Sequence, residues 1–301
     1  MDLSRFGSAP PWSLGVEEEL MLVDAQTLEP ARYGFSRAFG EATERIKPEL
    51  FESFVEITTP VVETAEEIEA ELRALRREVA ARAAEHGLRV LATGSHPTAR
   101  GRIPIVPVER YERMREELGP QLDRQLVCGI HVHVAVPDPD TCLRAFEGVV
   151  PRLPELLAAS ANSPYWDGAA SGWRSIRSQI LLEMPTGGTP PVLRSWDDWQ
   201  AASRDDSTRR HWDAWPRPEY GTLEVRVMDQ PTSLRRTAGL AADVQRLVRE
   251  AADFDGEPFD RAEYDAARER AGREGGGPEA ERQLELGPEA ALRQIAALTL
   301  G

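Results

Sequence analysis

Four stretches of the chain, residues 13–24, 51–58, 126–136 and 222–229, alternate apolar and polar side chains at a period of two. That period belongs to β-strands, whose successive side chains point to opposite faces of a sheet. Leu14, Val16, Leu20 and Leu22 share one side of the first stretch, and Glu17 and Glu19 the other. In the second, Val55 and Ile57 alternate with Glu52, Phe54, Glu56 and Thr58. The third sets Ile130, Val132 and Val134 against His131 and His133, and the fourth sets Leu223, Val225 and Val227 against Glu224 and Arg226. Solvent-facing strands favour Thr and other neutral or basic residues over carboxylates. Here the polar sides collect five carboxylates, two histidines and an arginine. If the strands share one sheet, one face is dry and the other is suited to Mg²⁺ or Mn²⁺, which points to an enzyme.

The bulk properties narrow the class. At 301 residues the chain can bury one sizeable core or two small ones. A net charge of −15 disfavours nucleic acid or an anionic membrane as the main partner. It does not exclude a nucleotide, because bound divalent cations reverse the local field. Two cysteines are too few for a disulfide framework. The first twelve residues lack a basic-then-apolar leader pattern, and no run of about 18 apolar residues occurs. A soluble cytoplasmic protein is the expectation.

Helix signals fill the gaps between the strands. Residues 64–87 open on a Thr64/Glu67 capping box, carry the stripe Ile68, Leu72, Leu75 and Val79, and close at Gly87. Further helices are expected over 109–118, 140–160 with kinks at Pro151 and Pro154, 232–254, and 288–298. The mixture predicts an α+β fold, with helices on one face of a mainly antiparallel sheet. Residues 161–218 hold most of the tryptophans with many Pro, Gly and Arg, and a loop that long is usually functional. Beyond Phe254 the sequence turns polar, and Gly275-Gly276-Gly277 reads as a flexible joint. The expected division is a catalytic domain over 1–254 and a polar, partly helical extension over 255–301.

Each constellation has a plainer explanation. Glu17 and Glu19 lie about 7 Å apart on one face, near enough to share neighbouring cations, but could form a solvated acidic edge. Glu18 fits neither version unless it has a buried partner. Glu52 and Glu56 flank Phe54, an odd neighbour for mere surface charge. His131 and His133 match a metal-ligand spacing that also arises by accident, and either could orient a substrate anion instead. Glu224 and Arg226 are either a salt bridge on the sheet or a cation ligand beside a phosphate-binding guanidinium. Arg174 and Arg177 could clamp an anion or be solvated. For His86 and His211 the sequence points to no particular partner, and they read as structural. Glycine-rich phosphate loops and a nucleophile elbow are absent, so ATP, if used, is held by metals and arginines across the sheet.

Taken in order, the blocks Gly15-Val16-Glu17-Glu18-Glu19, Glu56-Ile57-Thr58-Thr59-Pro60, Gly94-Ser95-His96-Pro97 and Gly129-Ile130-His131-Val132-His133 resemble the glutamate–cysteine ligase type 2 family. So do the blocks from Ser160 to Gly168, Ser175-Ile176-Arg177-Ser178, Pro185 to Pro190, and Leu223-Glu224-Val225-Arg226-Val227. This family of carboxylate–amine ligases is related in fold to glutamine synthetase. The resemblance implies a curved sheet with helices on its convex face. Its concave face would hold ATP, Mg²⁺ and an amino acid, with small molecules as the only substrates. It implies metal ligation by Glu17, Glu19, Glu56, His131 and Glu224, with Glu52 a further candidate. Arg226 and Arg177 become the catalytic arginines, and Arg174 and His133 join them in holding the nucleotide. The activity implied is ATP-driven amide formation, of glutamate's γ-carboxylate with cysteine in the best-known case.

Two departures stand out. The region after Phe254 is shortened, and residues 211–218 have Ala214 and Trp215 where isoleucine and arginine are usual. Exposed tryptophans and the family's habit point to a homodimer. The alternatives are a metal-dependent hydrolase or oxygenase centred on His131 and His133, and a binding protein of this fold that has lost turnover.

Overall fold

The computed structural model describes residues 1–184, 186–203 and 210–300. Pro185 and residues 204–209 of the long loop lie outside the described residues. The four alternating stretches all enter one seven-stranded sheet. Its strands begin with β1 (Leu14–Asp24), β2 (Ile46–Pro48), β3 (Phe54–Thr58), β4 (Leu88–Leu91) and β5 (Ile130–Ala135). Two small ribbons follow in the long loop, β6 (Tyr165–Trp166) with β7 (Ala169–Ala170), and β8 (Thr186–Gly188) with β9 (Arg210–Trp212). Strands β10 (Ala214–Arg217) and β11 (Thr222–Val225) complete the main sheet. The order is β10-β11-β5-β1-β3-β2, every neighbouring pair antiparallel. β1 pairs with β5 along Leu14–Glu18 and with β4 along Met21–Asp24.

Hydrophobic burial sets the layers. Leu14, Val16, Leu20, Leu22, Ile130, Val132, Val134, Leu223 and Val225 are almost wholly buried on one face. Short α1 (Gly34–Ala38) links the first strands, and α2 (Ala65–Glu85) covers the dry face with Ile68, Leu72, Leu75 and Val79. The expected capping box is formed in both directions between Thr64 and Glu67. α3 (Glu109–Leu118) goes to the other side. α4 (Pro139–Val149) starts where Asp138 accepts from the Thr141 N–H, and a 3-10 turn at Pro151 separates it from α5 (Leu153–Ser160). α6 (Arg177–Ile180) and α7 (Trp196–Ala202) lie in the long loop. α8 (Leu234–Glu250) then packs between α2 and α4, with Leu240, Val244 and Val248 inward.

The opposite face is not uniformly polar. Beyond Glu19 and Glu56, Met21, Val23 and Phe54 continue the same side and pack with Tyr111 and Met114 of α3, Ile103 and Val106. The second apolar layer explains Phe54 between its glutamates and confines the polar part of the face to one end of the sheet.

The segment after Phe254 is an integral part of the same core, unlike the expected extension. α9 (Arg261–Glu274) buries Tyr264 and Arg268, α10 (Pro278–Leu286) buries Gln283, and α11 (Pro288–Leu298) buries Leu292 and Ile295. The triple glycine is a close backbone approach, not a free joint. A Cβ on Gly277 would meet the Ala161 carbonyl oxygen at 2.4 Å, and one on Gly275 the Ala271 carbonyl oxygen at 2.5 Å. None of the seven tryptophans is exposed. Trp196, Trp199, Trp212 and Trp215 pack in one cluster, with Trp199 stacked on Trp215, so tryptophan exposure no longer argues for a homodimer. Among the described residues, no helix is long and apolar enough to cross a membrane.

Candidate active site

Strand register brings the acidic and histidine residues together. Glu17 stands opposite His131 and Glu224 opposite His133, while Glu56 on β3 is opposite both Glu19 and Lys47. Of these residues Glu17, Glu19, Lys47, Glu56, His131 and Glu224 line a cavity of about 390 Å³, with Glu49, Arg110, Tyr111, Trp212, Arg217, Tyr220 and Arg226 among its walls, and His133 lies behind it. A smaller pocket of about 70 Å³ adjoins it at Glu19, His131 and Arg226, and is walled by Leu50, Phe54, Val127, Leu181, Met184 and Arg177.

The densest cluster is Glu17, His133 and Glu224, each offering a ligand atom within 4.8 Å of the others. His133 Nδ1 is 3.0 Å from Thr222 Oγ1. Its Nε2 lies 3.7 Å from Glu17 and 3.6 Å from Glu224, and this buried nitrogen has no hydrogen-bond partner. A buried polar atom seldom goes unpaired without cause. Two carboxylates around an orphaned imidazole nitrogen fit a divalent cation such as Mg²⁺ or Mn²⁺. His131 lies beside this trio, with Nδ1 3.0 Å from Glu17 Oε2 and Nε2 3.8 Å from Glu19. Sequence favoured His131 as the ligand and gave His133 to the nucleotide; the geometry brings His133 into the cluster.

The charges are closely balanced. Burial works to raise the Glu224 carboxyl, but Arg226, His133 and Arg217 outweigh it and hold it at about 2. Burial works to raise Glu17 as well, but the bond to His131 and the nearness of His133 outweigh it and hold it well below the usual range. Glu56 moves the other way, pushed well up by burial and then by Glu17 and Glu49, with Lys47 only partly compensating. Burial and Glu19 likewise raise Glu49, which accepts from the Tyr111 hydroxyl at 3.1 Å. A cation at this end would relieve the repulsion among Glu19, Glu49 and Glu56.

Arginines close the cluster. Arg226 Nη1 donates to Glu224 Oε1 at 2.5 Å and Arg217 Nη1 to Glu224 Oε2 at 2.8 Å. β11 accommodates one extra residue between the Val225↔Val132 and Asp229↔Gly129 pairs, a bulge in which Arg226 N–H reaches the Asp213 carbonyl. Arg177 is buried across β5's approach and donates to the Arg226 and Val227 carbonyls. Gly129 permits this, since a Cβ there would sit 2.2 Å from the Arg177 guanidinium. Beneath it, Asp229 accepts from the Asn162 N–H and the Ser163 and Ser175 hydroxyls, tying the long loop to the sheet.

Two expected residues fall elsewhere. Glu52 accepts from the Ser36 backbone N–H and hydroxyl, on a turn before β3 begins, so parity counted back from Glu56 does not apply to it. Arg174 is held by its backbone to Gly272 and Ser163 and does not line either cavity. Sequence missed Lys47, Glu49, Arg110, Tyr111 and Arg217. β2 is too short to show a period, but Arg217 shares its strand side with Trp215, a parity that could have flagged it.

A profile of glutamate–cysteine ligase family 2 (GCS2) matches residues 13–287. The chain belongs to this family. It is 38% identical over 259 residues to a Rubrobacter xylanophilus protein provisionally named glutamate–cysteine ligase 2-1, spanning 82% of this chain and 69% of that one. A similarly named protein of Bdellovibrio bacteriovorus is 34% identical over 255 residues, spanning 81% of this chain and 68% of the relative. The fold is shared with a bifunctional glutathione synthetase from Pasteurella multocida (TM-score 0.62, 19% identity), of which this chain covers 45%. It is also shared with a glutamate–cysteine ligase from Francisella tularensis solved in complex with AMP (TM-score 0.61, 12% identity, 80% of that chain). The α+β architecture with an open, mainly antiparallel sheet is thus the fold of these two solved ligases. Membership in the family makes it an ATP-dependent carboxylate–amine ligase.

Proposed function

We propose that the cavity joins a carboxylate, in the first instance the γ-carboxylate of glutamate, to the amine of cysteine through an acyl phosphate made from ATP. The observation that carries this is the orphaned His133 Nε2 between Glu17 and Glu224, with Arg226 and Arg217 on the same carboxylate. Mg²⁺ or Mn²⁺ bound by Glu17, His133 and Glu224, and by Glu19, Glu49 and Glu56 at the other end, would neutralise phosphate charge.

The chain's own groups do the rest. Arg226, with its guanidinium at the cavity wall, binds the transferring phosphoryl group, and Arg177 fixes Arg226 through its carbonyl. A carboxylate oxygen attacks the γ-phosphorus and ADP leaves. The deprotonated amine then attacks the acyl carbon and inorganic phosphate leaves. The two cavities take small molecules only, and their walls of Met184, Leu181 and Trp212 help exclude water that would hydrolyse the intermediate.

The test is phosphate release from ATP with Mg²⁺ and glutamate, screened against amino acids and amines. Release that depends on cysteine, with a dipeptide product, supports both substrates. Release with another amine keeps the reaction and changes the acceptor. No release with any pair contradicts the proposal.

A further inference from the structure

The basic groups at the cavity are already engaged by its carboxylates. Lys47 Nζ lies 3.6 Å from Glu56, and an Arg110 guanidinium nitrogen 3.8 Å from Glu49. Glu224 differs from these in facing two guanidiniums at once, one on each oxygen, although its side chain is only 1% exposed. Two guanidiniums on one buried carboxylate repel each other, and Glu17 and Glu19 near Arg226 and Glu219 beside Arg217 offset that repulsion only in part. Arg226 is fixed by its place in the bulge, with its N–H on Asp213 and its carbonyl on Arg177. Arg217 ends β10, is a quarter exposed, lies over the Tyr220 ring, and also reaches out to Glu219 at 2.7 Å. A guanidinium on a flexible stem can turn from Glu224 into the cavity without moving the sheet.

We propose that Arg217 is an exchangeable counter-ion: it holds Glu224 Oε2 in the cation-free protein, and when a divalent cation takes Glu224 its guanidinium turns to bind a substrate oxyanion. Cation and anion binding are then coupled, each strengthening the other by the same factor. The inference rests on the ligase reading and deepens it. The oxyanion is either the carboxylate of the amino acid or a phosphate of the nucleotide, both suited to a planar fork.

The experiment is Mn²⁺ titration followed by electron paramagnetic resonance, on wild type, R217M, R217Q and R217K. Each is titrated alone, with L-glutamate, and with a non-hydrolysable ATP analogue, and thermal melts check folding. Alone, R217M and R217Q bind Mn²⁺ about tenfold tighter than wild type, because the competing charge is gone. R217K, which keeps the charge, stays within about twofold of wild type. In wild type an anion tightens Mn²⁺ by about tenfold, an effect lost in R217M and R217Q. The anion whose effect disappears identifies the group that Arg217 binds. Equal or weaker Mn²⁺ binding in both neutral variants, or anion coupling that persists in them, overturns the proposal. A wild-type protein that binds no Mn²⁺ at all overturns the cation site itself, and with it the ligase reading.

Discussion

Arg76 on α2 and Glu18 on β1 form a two-pronged ion pair in the dry layer, at 2.7 and 2.6 Å, with both side chains wholly shielded from solvent. Glu18 lies on the apolar parity of β1, and its oxygens also accept from Thr237 and Gln230. Arg76 spends its remaining donors on the carbonyls of Pro231, Thr232 and Thr299. The pair therefore ties the first strand to the approach to α8 and to the end of α11. Removing one member of a buried pair leaves an uncompensated charge, at a cost of about 3–5 kcal/mol. Arg76→Met should lower the unfolding free energy by that amount in urea titrations, and Glu18→Leu combined with Arg76→Met by less. A single variant within about 0.5 kcal/mol of wild type would show that the pair is not structural.

Gly129 is the contact surface for Arg177. In Gly129→Ala the new methyl group must displace the guanidinium, which is the far end of a flexible side chain, so the fold should survive with little change in melting temperature. Arg177 would then no longer brace Arg226. Turnover should fall about 10²-fold, the usual loss when a preorganised electrostatic group is mispositioned. Unchanged turnover would remove Arg177 from the mechanism.

Glu52 and Glu224 give a paired test of which carboxylates belong to the site. Glu52→Gln weakens the bonds to Ser36 and should cost about 1 kcal/mol of stability while phosphate release persists. Glu224→Gln should abolish release with the fold intact, and chelation of divalent cations should do the same to wild type, reversibly. Loss of activity in Glu52→Gln without loss of stability would restore Glu52 to the site.

Stability should fall in mild acid because of His96. Its ring is buried, with Nε2 2.8 Å from the Leu28 carbonyl oxygen and Nδ1 accepting from the Ala99 N–H, so it is the neutral Nε2–H tautomer. Burial pushes it down to about 4 from an ordinary value near 6.5. The unfolded chain thus binds more protons over that range, and the contribution, complete above about pH 6.5, is lost as pH falls toward 4. The total is about 3 kcal/mol. His96→Asn should flatten this part of the stability–pH curve, and an equally steep curve in the variant would assign it to other groups.

The strands and the long helices were legible because their periods are local. The Thr64/Glu67 box, the span of α3 and the span of α11 follow from adjacent residues alone. Glu52 was misassigned because parity holds only while the strand continues, and a turn intervenes at residues 52–53. Lys47 reaches the site through register across strands, on a strand too short to show a period, whereas the parity of Arg217 with Trp215 was there to be read. Helix α9 looked solvated because charged side chains dominate it. Yet Arg268 is buried against Asp213 at 2.6 Å and Tyr264 against the same carboxylate at 2.7 Å, so charge there marks a partner and not a surface. Glu18 carried the same lesson, as a charge on the apolar side whose partner lies 58 residues away.

Oxygen transfer tests the central claim most directly. Glutamate labelled with ¹⁸O in its γ-carboxylate is turned over with ATP, Mg²⁺ and the accepting amine, and the phosphate is analysed by mass spectrometry. An acyl phosphate requires that one labelled oxygen per amide bond appear in inorganic phosphate. Phosphate without label, formed alongside an amide, would mean that the carboxylate never attacks phosphorus, and the proposed mechanism would be wrong.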